Sequence, residues 1–299
     1  DVVELAARLA SSKELTGQVG LIGWDSLPAT AAERLRRELT DLRPVDCSEE
    51  LEALRLVKSA SELSLIREAS AVAVKGMALM LAAAEPGATE AEIVAAGASE
   101  IVARGARIQY AAIASGPFSP LYVRRPVSGY DRTRQLERGE LVHIDLLLTL
   151  DGYYADFQRS AIVGDLADEQ KVRLIDAART SVERATAVVR PGALAEDVAR
   201  AGEAYKTEHG FDREFGLVHP PGWEHRPQSV GDIDYDFWGH GLGLGLEAPF
   251  LRAGDRTALE PGVVLAVEQF LVQRGVGGAS WEDDVVVTES GCDVLTTGV

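Results

Sequence analysis

The chain has 299 residues, 46% of them hydrophobic, enough to bury a sizeable core in one large domain or two ordinary ones. Its 30 basic residues are outnumbered by 47 acidic ones, and a formal charge of -17 without a local basic patch argues against nucleic acid or an anionic membrane as partner. The only cysteines, Cys47 and Cys292, form neither a disulfide framework nor a CxxC pair, so a reducing compartment is expected. No apolar run reaches the roughly 18 residues of a membrane helix. Asp1 opens an amphipathic pattern rather than a basic and then apolar leader, and the expected location is the cytoplasm. The absence of an initiator Met is read as a trimmed or partial form of a longer chain.

In chain order, the apolar run Val19 to Gly23 predicts a short strand, and Thr30 to Leu39, with Ala and Leu at helical spacing, predicts a helix. With Leu51 to Lys58 they read as the end of a small α/β domain. Ser59-Ala60-Ser61-Glu62 has the spacing of a capping box, in which the Ser hydroxyl and the Glu carboxylate satisfy each other's exposed backbone N–H groups. It predicts a long helix towards Ala84. Pro86-Gly87 ends that helix, and a second capping box, Thr89 to Glu92, starts another that runs to about Ala103. Ile108 to Ser115 reads as a strand. The layout then recurs: a helix from Asp168 to Val189, the stop Pro191-Gly192, and a helix from Ala195 to about Glu208. PGATEAEIVAA at Pro86 and PGALAEDVARA at Pro191 are one phrase written twice, which with the repeated order of elements predicts an internal pseudo-repeat.

Leu141 to Arg159 reads as two strands joined by the turn Asp151-Gly152. Asp145 and Asp156 fall one on each arm among residues patterned for burial, where a carboxylate is costly unless it is paired or binds a metal. The alternative is a pair of solvated edge-strand carboxylates. His240 lies between glycines in Trp238 to Leu246, which let the backbone approach a neighbour closely and let an imidazole project from a tight turn, although a lone histidine of this kind is more often a satisfied core residue. Glu268 stands alone in an apolar strand that follows Glu260-Pro261-Gly262. Trp281-Glu282-Asp283-Asp284 precedes the closing run VVVT, so Glu282 or a neighbour would enter that strand; taken alone, the acidic run reads as a solvated face. As a set, two Asp, one His and two Glu suit a pair of divalent ions about 3.5 to 4 Å apart, bridged by carboxylates and a hydroxide.

These residues, in this order, resemble the metal ligands of the pita-bread metallopeptidases (M24): methionine aminopeptidase, aminopeptidase P, prolidase and non-peptidase relatives such as creatinase and ectoine hydrolase. The likeness runs from Arg55, Lys58, Ser59 and Glu62 through HIDLLLTLDGYYADFQRS, GHGLGLGLEAP, LEPGVVLAVE and WEDDVVVTESG, roughly residues 54 to 299. It implies an α+β pita-bread fold with a pseudo-twofold repeat over 54–299, preceded by residues 1–53 as part of the small α/β N-terminal domain of the creatinase branch. That domain helps shape the partner subunit's active-site entrance, so a homodimer is implied. By the same resemblance Asp145 holds one ion, Asp156 and Glu282 bridge both, and His240 and Glu268 complete the second. A hydroxide bridging the ions is then the nucleophile, and Glu268 takes its proton and passes it to the leaving amine. The implied cofactor is two divalent ions, Mn first, with Co, Fe or Zn accepted by the same ligands.

Two histidines with which peptidase members hold the scissile amide are missing. Near the place of the first stand Leu121, Tyr122, Val123 and Arg124; at the place of the second stands Glu247, with Pro249 one residue early, so that histidine is either replaced or deleted. The Thr-Arg that follows the second Asp is here Gln158-Arg159, and the Arg two before the final Glu is Ser280. Candidates for substrate contact instead are His143, two before Asp145 on its strand, Tyr122, Glu247, and His219 and His225 in a Pro/Gly-rich loop, with Arg124 and Arg125 for a substrate carboxylate. The leading reading is an Xaa-Pro-dipeptidase-like hydrolase of a small peptide or amide. A hydrolase or lyase of a non-peptide metabolite is the alternative that the lost histidines favour. A catalytically silent binding module is the third, and the intact ligand set argues against it.

Overall fold

The computed structural model describes residues 2–23, 27–121, 129–164, 166, 168–211 and 237–299. The chain divides into two compact units, Asp1–Leu56 and Val57–Val299. In the first, α1 (Val2–Ser12), β1 (Gly17–Leu21), α2 (Ala29–Glu38), β2 (Leu42–Asp46) and α3 (Ser48–Leu56) follow in order. β1 and β2 pair in parallel, which needs a crossover, and α2 supplies it. Val3 and Ala10 of α1 pack against Leu35 of α2 and the adjoining Leu39 to close a small core.

The second unit opens with α4 (Ala60–Ala82) and α5 (Glu90–Ala103). Both predicted capping boxes form: Glu62 accepts from the Ser59 N–H and Glu92 from the Thr89 N–H, each at 2.8 Å, while the Ser59 and Thr89 hydroxyls accept in return. β3 (Arg107–Ser115), β4 (Leu141–Leu150) and β5 (Tyr153–Ile162) make an antiparallel sheet. Then come α6 (Glu169–Thr186), capped by Asp168, and α7 (Ala195–Glu208). β6 (Phe237–Leu242), β7 (Leu246–Arg252), β8 (Val264–Gln273), β9 (Gly277–Val287) and β10 (Cys292–Val294) form a second sheet, in the order β10-β9-β8-β6-β7 among the described residues. No helix of the described residues is long and apolar enough to cross a membrane.

The period of two in a strand sorts the side chains. Val142, Ile144, Leu146 and Leu148 of β4, with Ala155 and Phe157 of β5, face α4 and α5 and pack on Ala73, Met77, Ile93 and Ile101. Leu271 of β8 and Ala279 of β9 pack likewise on Leu174, Ala177 and Ala178 of α6. The residues between them, His143, Asp145 and Leu147 on β4 and Ala266, Glu268 and Phe270 on β8, point the other way.

The pseudo-repeat is visible bond by bond. After the first Pro-Gly, the Gly87 N–H donates to the Leu136 carbonyl and the Leu136 N–H to Ala88; after the second, Gly192 donates to Leu259 and Leu259 to Ala193. Each copy then carries an Asp-Arg-Thr phrase in which the Asp accepts from the Thr backbone, Asp131 from Thr133 at 2.7 Å and Asp255 from Thr257 at 3.0 Å. That second written repeat, 131–133 against 255–257, is in the sequence and escapes a reading guided by Pro-Gly alone.

Between the two sheets β5 runs beside β9 without a ladder, and side chains close the seam. Ser160 Oγ donates to the Ser280 carbonyl and accepts from the Ser280 N–H, the Asp156 N–H reaches Asp284, and Arg159 donates to the Glu282 carbonyl.

Candidate metal centre

All five acidic and imidazole candidates lie on strands. In the first sheet Asp156 is directly opposite Leu147, so it shares a face with Asp145 two residues away. In the second sheet Glu268 is directly opposite Glu282, and His240 is opposite Ala266, two residues before Glu268. All five are buried. His240 therefore projects from a strand and not from the tight turn expected of its glycine neighbours. Of the two uses expected of those glycines, close backbone approach is the one observed: β6 lies between β7 and β8, and a Cβ on Gly239 would run into the Ala266 carbonyl, one on Gly241 into the Ala248 carbonyl. Nor does the acidic run at 281–284 form a solvated face. It lies inside β9, where Glu282 is 1% and Asp284 0% exposed.

One ligand atom from each of Asp156, His240 and Glu282 lies within 4.8 Å of the other two. His240 Nε2 is 3.6 Å from Asp156 Oδ2 and 4.0 Å from Glu268 Oε1. His240 Nδ1 meets the Gly241 carbonyl at 3.0 Å, and since a carbonyl only accepts, that nitrogen is the donor and Nε2 is the one that faces the carboxylates. Both Glu282 carboxylate oxygens are buried without a hydrogen-bond partner. Burial pushes Asp156 well above the usual carboxylate range, and the charges of Asp145, Glu268 and Asp284 push it further. Glu282 is raised in the same way, by burial first and then by Asp156 and Glu268. A buried group of mutually repelling carboxylates beside an imidazole is a donor set suited to divalent cations.

Four residues of the site had been given no role from the sequence. Asp284, opposite Ala266, accepts from Ser70 Oγ at 3.0 Å, and burial raises its pKa. Gln158, opposite Asp145, donates to Glu268 Oε2 at 2.9 Å. Tyr110 of β3 is opposite Leu147 and so faces the cluster; burial, then Asp145 and Asp156, hold its phenol protonated. Arg159 is buried between the rings of Phe157 and Trp281 and bonded to Asp283 at 2.7 Å, a strut behind the site.

Of the candidate substrate groups, His143 is fully buried on the face of Asp145, with Nε2 on the Leu121 carbonyl at 3.0 Å and Nδ1 without a partner. Burial lowers its pKa to about 4. Glu247 forms a buried ion pair with Lys58 at 2.7 Å. Tyr122, His219 and His225, like Arg124 and Arg125, lie outside the described residues.

The model of metallopeptidase family M24 matches residues 64–289. The chain belongs to that family. Among M24 relatives it is 31% identical over 270 residues to the probable dipeptidase PepE of Mycobacterium tuberculosis, covering 89% of this chain and 65% of that one. The chain thus spans somewhat less than two thirds of that relative's length. It is 29% identical to the agropine synthesis cyclase of Rhizobium rhizogenes, over 93% of this chain and 69% of the relative. Its fold is that of an Xaa-Pro dipeptidase from Bacillus anthracis, with a TM-score of 0.82 at 25% identity over 100% of this chain and 77% of that one. The α+β pita-bread architecture expected from the M24 resemblance is therefore the observed one.

Proposed function

We propose that this chain holds two divalent ions with Asp145, Asp156, His240, Glu268 and Glu282 and hydrolyses an amide bond of a small peptide, as an Xaa-Pro dipeptidase does. The observation that carries the reading is the buried Glu282 carboxylate with two unpartnered oxygens, within ligand distance of Asp156 and His240. Four carboxylates and one imidazole fit divalent cations, with Mn as the expected ion. Asp145, Asp156, His240, Glu268 and Glu282 are the residues that would hold the pair. When bound, the pair supplies a hydroxide nucleophile and polarises the amide carbonyl. Glu268 accepts the nucleophile's proton and returns it to the leaving nitrogen. The apolar strands around the cluster keep bulk water from the charges and strengthen every electrostatic contact in it. In this reading residues 1–53 belong to a creatinase-type N-terminal domain, and the enzyme is homodimeric and cytoplasmic.

A second reading, a hydrolase or lyase of a non-peptide C–N substrate, is favoured by one observation. Glu247, where peptidase members carry an amide-binding imidazole, is occupied by Lys58. The likeness to a cyclase points the same way. Metal content and hydrolysis of a panel of Xaa-Pro dipeptides, with and without added Mn and beside an Asp156→Ala control, separate the readings. Two ions per chain with Asp156-dependent cleavage are expected. Two ions without cleavage would move the assignment to small-molecule amides, and no ions would leave a binding module.

A further inference from the structure

Resting on the two-ion reading, we propose that Gln158 is a positioning residue that fixes Glu268 for the second ion. Gln158 leaves β5 directly opposite Asp145, is 1% exposed, and crosses from the first sheet to the second to donate from Nε2 to Glu268 Oε2 at 2.9 Å. The bond distinguishes the two oxygens of Glu268. Oε2 is engaged by the amide, while Oε1 lies 4.0 Å from His240 Nε2, on the side where an ion would sit.

The chemistry of the donor matters. A lysine or arginine here would neutralise Glu268 and compete with a cation for it; an amide orients the carboxylate and leaves its charge in place. A threonine hydroxyl, the group at this point of the family phrase, is two bonds shorter than Nε2 and falls short of β8. A glutamate has three side-chain torsions to freeze, and a partner that freezes them beforehand removes that ordering cost from metal binding. Groups that hold a metal ligand from behind typically change metal affinity about 10–100-fold when removed.

The test is titration of the metal-free full chain with Mn alone, followed by calorimetry without substrate, for the wild type, Gln158→Leu and Gln158→Thr. Far-UV circular dichroism and thermal melts of the metal-free forms verify folding. We expect two ions on the wild type, and on both variants one affinity weakened about 10–100-fold with the other within about twofold. The more polar Gln158→Thr keeps the test decisive if leucine disturbs the buried seam. Two unchanged affinities in Gln158→Leu, or threonine matching the wild type, would overturn the inference while leaving the proposed function intact. A wild type that takes up no Mn would overturn both.

Discussion

A carboxylate that is 1% exposed and accepts no hydrogen bond, as Glu282 is, destabilises a folded chain unless a cation meets it. Asp156 and Glu282 both hold their protons more tightly folded than unfolded. Their penalty is absent below about pH 4, where both states are protonated, and grows as pH rises towards the folded values. The chelated protein should therefore melt at a lower temperature at pH 8 than at pH 6, and the gap to the Mn-loaded protein should widen; a chelated protein that gains stability towards pH 8 would count against an uncompensated cluster. His143 acts in the opposite direction. Its pKa falls from 6.5 to about 4 on folding, so the stability it contributes is complete above 6.5 and is lost as pH drops to about 4. That is roughly 3 kcal/mol, and His143→Gln should flatten this part of the acid limb in a denaturant titration repeated at several pH values. Asp145, Asp156 and Glu268 were legible because a charge inside an apolar strand is conspicuous. Asp284 was not, since in an acidic run nothing in the residues says which carboxylate the pleat turns inward, and Gln158 carries no charge to stand out.

Helix starts were the most legible elements, because a capping box is a local exchange of hydrogen bonds that four consecutive residues can complete. Ser59→Ala and Thr89→Ala should each destabilise by about 1 kcal/mol. Acting at separate helix ends, they should add to within about 0.5 kcal/mol when combined, as a urea midpoint series would show. Strand edges were predicted to within a few residues at β3, β4 and β5. β6 itself was hidden, because the glycines of Trp238 to Leu246 suit a tight turn as well as close approach to a neighbouring backbone, and only the second holds. A contact between residues 27 apart in sequence, as Gly239 and Ala266 are, leaves no local signal.

Across the whole molecule, duplication was the clearest message: a helix pair, a Pro-Gly stop and acidic strands, twice. What the pattern could not convey is that the copies meet edge to edge at β5 and β9 with their ligands turned to one place, which only the register specifies. With 47 acidic residues against 30 basic, the surroundings favour cations generally, but specific uptake should be visible as stabilisation. Mn at about a hundred times its dissociation constant should add roughly 2.7 kcal/mol, a rise in melting temperature that Asp156→Ala abolishes. A rise that survives the substitution would point to loose surface binding.

The seam closed by Ser160, Arg159 and Asp284 gives the ions a mechanical role as well as a chemical one. A ladder would hold the halves together by itself; a few side-chain bonds leave the halves to be riveted by whatever sits between Asp156 and Glu282. The amide of Asp156, which points across the seam at Asp284 instead of into a ladder, then becomes a reporter. Its exchange with deuterium should slow when Mn is added and quicken when the ions are stripped, long before either half unfolds.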